Sequence, residues 1–108
     1  MTAARIFLLY GIWRATGLAS AGRALVHALA SADENVRTIA GMLLVRGHDR
    51  AVPLLRESLA RRESLPMALA ILGDIGDRQC EPDIVPFAED RDPEVSKAAR
   101  DALRVLAR

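Results

Sequence analysis

Cysteine is nearly missing from this sequence. Cys80 stands alone among 108 residues, so no intramolecular disulfide can form, and neither a cysteine-based zinc site nor an iron–sulfur site can be assembled. A reducing, cytoplasmic setting is the matching expectation. Cys80 lies near the start of a predicted helix and reads as a small core side chain rather than a reactive thiol. Lysine is equally scarce: Lys97 is the only one, and the other basic residues are arginines. Aromatic residues make up 4% of the chain, and the β-branched and aromatic runs that favour strands are lacking. The net charge of +1 provides no overall basic field of the kind that marks nucleic-acid or membrane-surface binding. The longest apolar run, residues 6–13, is eight residues between Arg5 and Arg14, far short of the ~20 a membrane span needs. A leader peptide with Ala19-Ser20-Ala21 as its cleavage triplet is disfavoured, because Arg14 interrupts it and the triplet falls in the next predicted helix.

The groups that chemistry needs are thin as well. His27 and His48 are the only histidines, while a metal site needs three or four converging ligands. Ser20, Ser31, Ser58, Ser64 and Ser96 sit at cap or surface positions, and no strained nucleophile turn or paired-carboxylate constellation accompanies them. Gly73-Asp74-Ile75-Gly76-Asp77 carries a turn glycine rather than a phosphate loop. No catalytic residue, no metal and no cofactor is expected, and the chain reads as a non-enzyme.

What is present is alanine and leucine. Hydrophobic residues reach 51%, mostly with thin side chains suited to helices packed close together. Apolar positions recur at three- and four-residue spacing, which predicts about seven helices in one domain, 1–108. They fall into pairs over about 2–30, 33–62 and 64–89, with a final helix over about 92–107. Thr2 to Gly17 bounds the first helix, and Ser20 is the expected cap of the second. Asp33 and Asp49 cap the third and fourth. Pro66 fits the first turn of the fifth. Pro86 is expected to shorten or kink the sixth. Asp92-Pro93-Glu94 opens the seventh with a cap, a first-turn proline and an early acid. Expected inward residues include Ile6, Trp13, Leu25, Val36, Leu44, Leu55, Ile71, Ile84, Val95 and Leu106.

The helices repeat. Val36, Ser64 and Val95 align at spacings of 28 and 31, which also superimposes Ala40, Ala68 and Ala99, and Leu44, Leu72 and Leu103. A period near 30 with two helices per unit is the pattern of an α-solenoid, in which each unit buries its apolar stripe against its neighbours. The segments Asp33-Glu34-Asn35-Val36-Arg37 through Ala51-Val52-Pro53-Leu54-Leu55, then Ile71 to Asp77, then Asp92-Pro93-Glu94-Val95 with Ala98-Ala99 and Ala102-Leu103 resemble the HEAT repeats. The likeness is to the short bacterial kind related to the phycobilisome-lyase (PBS lyase) HEAT-like repeats. The resemblance covers about residues 20–108. It departs where Leu65 replaces the arginine seen at Arg37 and where His48 replaces a turn glycine. It implies an all-α, right-handed α-solenoid (an α-α superhelix), and a scaffold or adaptor. The alternatives it leaves open are an accessory subunit of an enzyme, such as a lyase component, and less readily a nucleic-acid-binding module. Arg37 is expected in an inter-repeat ion pair or bonded to turn carbonyls.

Two surfaces remain for a protein partner. The second helix of each pair lines the concave side of such solenoids, which would place Arg23, His27, Arg50, Leu54, Glu57, Arg61 and Asp83 in one row, basic at the front and acidic at the back. The whole chain is biased in the same sense: residues 1–72 hold nine basic and five acidic side chains, and residues 73–108 hold six and nine. The second surface is the first helix. After Ile6, Leu9 and Trp13 dock, Phe7, Leu8 and Ile12 are left over, and self-association through them is expected.

Overall fold

The computed structural model describes residues 2–108, and among these all regular structure is helical. The chain divides into two compact units, residues 1–54 and 55–108, and each is described on its own terms.

In the first unit, α1 (Ala3–Thr16) begins where the Thr2 hydroxyl accepts the Arg5 N–H at 3.3 Å. It stops at Gly17, whose φ of 70° lets its N–H turn back to the Trp13 carbonyl at 2.7 Å. Ile6 and Trp13, two turns apart, are its buried residues, and α1 packs on α2 (Ala19–His27) and α3 (Glu34–Gly47). The expected Ser20 cap does not form. α2 starts directly after Leu18 without a side-chain cap, so Ser20 lies within its first turn. Its C-terminal end tightens into a 3-10 turn over Ala28–Ala30. Asp33 caps α3 as expected, accepting from the Asn35 N–H at 2.9 Å. Arg37 reaches back to the Ser31 carbonyl at 2.7 Å, which ties the connection between α2 and α3. After α3, His48 takes φ 47° and ψ −118°, a conformation glycine adopts far more readily; this is the position where the repeat pattern expects glycine.

Trp13 shows how this unit closes. Its indole is 3% exposed, and a methyl group built on Gly22 or Gly47 would overlap it. Two glycines inside helices therefore make room for the one tryptophan. Leu54, on α4 (Val52–Ala60), meets the same spot, since a side chain on Gly22 would also strike it. Leu54 was expected to face outward with Arg50 and Glu57. It is instead buried, because Ala51, Val52, Leu54 and Leu55 form a stripe wider than one helical row.

The second unit takes up the rest of α4 and ends it on a hydrogen-bonded joint. The buried Ser58 hydroxyl donates to the Glu63 carbonyl at 2.5 Å, and the Glu63 N–H returns to the Ser58 carbonyl at 3.0 Å. Arg62 and Ser64 take left-handed φ values of 55° and 49° around it. Then α5 (Leu65–Ile75) follows, buried on nearly every side. Leu65 and Leu69 are interior alongside the expected Ala68, Ile71, Leu72 and Ile75.

Pro86 acts as expected. It lacks the N–H that would continue the helix, so α6 (Glu81–Ile84) is a single turn that tightens into a 3-10 stretch over Val85–Glu89. Asp92 caps α7 (Pro93–Leu106) by accepting from the Glu94 N–H at 2.9 Å. α7 lies along α5, with Gly73 facing Ala102: a Cβ on Gly73 would stand 2.9 Å from both the Cα and the Cβ of Ala102.

The glycines therefore predict opposite outcomes. Gly73→Ala forces α5 and α7 apart and should cost ~1–3 kcal/mol. Gly11→Ala enters open space on α1 and should stabilise by up to ~1 kcal/mol through helix propensity. Urea melts of the two variants check both signs.

Candidate functional site

The outer face of α1 is the most exposed apolar surface of the first unit. Phe7 is 55% exposed, Leu8 65% and Ile12 37%. They follow from the helix itself: with Ile6 and Trp13 turned inward, positions 7, 8 and 12 fall on the other side of the wheel. Leu18, just past the Gly17 turn, is a further large apolar residue left 53% exposed. The sequence reading passed over it, although an apolar residue flanked by a helix-stopping glycine and an uncapped helix start was a usable signal.

The proposed row of polar residues is shared between the two units. Arg23 and His27 are exposed on α2. Arg50 is exposed but committed, donating to the Arg14 carbonyl at 2.6 Å, where it satisfies a backbone acceptor in the last turn of α1. Leu54 is buried and presents nothing to a partner. In the second unit, Glu57 pairs with Arg61 at 3.2 Å, one helical turn apart. Asp83 is held by Arg56, whose Nε donates at 2.7 Å; that bond keeps the Arg56 guanidinium protonated beyond its ordinary range.

The Arg56–Asp83 pair flanks a cavity of about 290 Å³ that is also lined by Leu59, Ala60, Pro82, Pro86 and Phe87. Nearby, Arg62 bonds Asp90 at 2.8 Å and lies 5.8 Å from the centre of the Phe87 ring. The Arg62 guanidinium and the Asp92 N–H hold the Asp90 carboxyl below the usual carboxylate range. Charges expected to face a partner in this unit are thus largely engaged with each other. Sequence reading missed the pairing of Arg56 with Asp83 and of Arg62 with Asp90, because the partners lie 27 and 28 residues apart and meet only once the helices pack.

Among the described residues no three His, Cys, Asp or Glu side chains converge as metal ligands. His27 and His48 are both exposed. Among the described residues no helix is long and apolar enough to cross a membrane. Cys80 is fully buried; burial pushes its thiol up, and the nearby Asp77 carboxylate adds to the effect. The nucleophilic thiolate is therefore suppressed. Native protein should leave Cys80 unlabelled by a thiol-reactive dye for as long as the fold persists, and denatured protein should label fully. Rapid labelling of the native protein would contradict this burial.

Compared with models of known protein families, with characterised proteins and with solved structures, the chain matches none.

Proposed function

We propose that this protein is a non-enzymatic protein-interaction module, built of HEAT-like helix pairs stacked as a right-handed solenoid, that associates through the outer face of α1. The observation that carries this reading is the exposure of Phe7, Leu8 and Ile12 on a helix whose opposite face is anchored by Ile6 and Trp13. Large apolar side chains exposed together on one helix are a mark of an interface. The repeat half of the proposal is supported by Ala40, Ala68 and Ala99, one position in three successive copies, each 0% exposed. It is supported also by the ion pairs Arg56–Asp83 and Arg62–Asp90, which link residues 27 and 28 apart, the period found in the sequence. A lone buried thiol suits a reducing cytoplasm.

A second copy of the chain is the occupant of choice, since an isologous contact sets the same three residues against themselves. Burying the exposed parts of three such side chains on each of two copies is worth on the order of 10 kcal/mol. That is comparable with the entropic cost of associating two bodies, so the contact should be weak and concentration-dependent.

Size-exclusion chromatography with light scattering should show a dimer that grows in with concentration. Leu8→Arg, at a position that adds nothing to the core, should give a monomer with an unchanged circular dichroism spectrum. A wild-type protein that stays monomeric throughout would remove self-association.

A further inference from the structure

In the first unit a cavity of about 270 Å³ opens between α1, the last turn of α3 and the turn that follows it, lined by Tyr10, Trp13, Arg14, Arg46, Gly47 and Arg50. Half of that lining is arginine, and none of it is acidic. Arg56, Arg61, Arg62 and Arg104 each pair with a carboxylate, whereas Arg14, Arg46 and Arg50 form no ion pair among the described residues. Arg14 donates to the Tyr10 hydroxyl at 3.0 Å, Arg50 to the Arg14 carbonyl at 2.6 Å, and among the described residues Arg46 makes neither a hydrogen bond nor an ion pair. A guanidinium carries five N–H donors, so most of the donors around this cavity are unspent. The Tyr10 oxygen accepts from Arg14, which leaves its own proton to give.

The dipoles of α1 and α3 account for a basic residue in each last turn. They do not account for the convergence of both residues, with Arg50 as a third, on one cavity. The wall is firm as well: Trp13 is 3% exposed and wedged against Gly22 and Gly47, and the Tyr10 ring meets it edge-on at 6.3 Å between centroids. Three positive charges gathered with no carboxylate in the lining repel one another. A monoanion would offset one of them; a dianion with three oxygens can accept from three forks at once.

We propose that this cavity binds the dianion of a phosphate monoester, gripped by Arg14, Arg46 and Arg50 with the Tyr10 hydroxyl as a further donor, the organic group that carries the phosphate lying along the aromatic wall.

Isothermal titration of the full chain with phenyl phosphate, at neutral pH and fixed ionic strength, tests this directly. Saturable one-to-one binding is expected. Arg46→Ala removes no bond within the protein, so it should weaken binding by ~10-fold or more while the unliganded melting temperature stays put. Arg46→Gln, close to arginine in length, should show the same loss. O-phosphoserine and inorganic phosphate run in parallel identify the source: tighter binding of the esters supports a carried phosphate, and equal binding of inorganic phosphate supports the same site taking the free ion. Absence of saturable binding at ~10 mM phenyl phosphate would overturn the site. So would equal affinity for the monoanions benzoate and dimethyl phosphate, or unchanged affinity in both Arg46 variants.

Discussion

Close approach is the constraint on which the rest of this structure depends. The chain has few aromatic side chains with which to fill space, so its helices come near each other, and glycine and alanine set how near. In the first unit Trp13 is buried because Gly22 and Gly47 leave room for the indole. In the second, α5 and α7 meet where Gly73 faces Ala102. Interiors are close-packed, so a gap or an overlap of one methyl group is felt. The same constraint shapes the outside. α1 docks through Ile6 and Trp13 and leaves Phe7, Leu8 and Ile12 exposed.

Local chemistry was legible in the sequence. Asp33 and Asp92 cap because a carboxylate beside a helix start has one natural donor to take. Gly17 stops α1 because its backbone can turn left-handed. Pro86 breaks α6 because it has no N–H to give. Each of these effects acts within four residues, so the neighbours that decide it are present in the sequence itself. Ser20 failed as a cap for an equally local reason, since the cap position falls two residues earlier, at Leu18.

What depended on packing was harder to read. Leu54 has the spacing of an outer-row residue, and Leu65 and Leu69 lie off the main stripe of α5, yet all three are buried. Helical periodicity identifies one favoured face; it says nothing about a helix contacted on several sides. The charged residues show the same limit. Asp83, placed in the binding row by its helix position, is held by Arg56, and Arg50 is tied to the end of α1. Conversely, the arginine-lined cavity joins residues 10–14 with residues 46–50, two segments whose proximity no local pattern announced.

The proposed function turns on one asymmetry within α1: Trp13 inside, and Phe7 and Leu8 outside, where a second copy is proposed to cover them. Hydroxyl-radical footprinting across a concentration series reads both halves at once. At low protein concentration Phe7 and Leu8 should be labelled strongly and Trp13 weakly; as concentration rises, labelling of Phe7 and Leu8 should fall while Trp13 stays low. Labelling of Phe7 and Leu8 that does not change with concentration, or strong labelling of Trp13 in the folded protein, would contradict it.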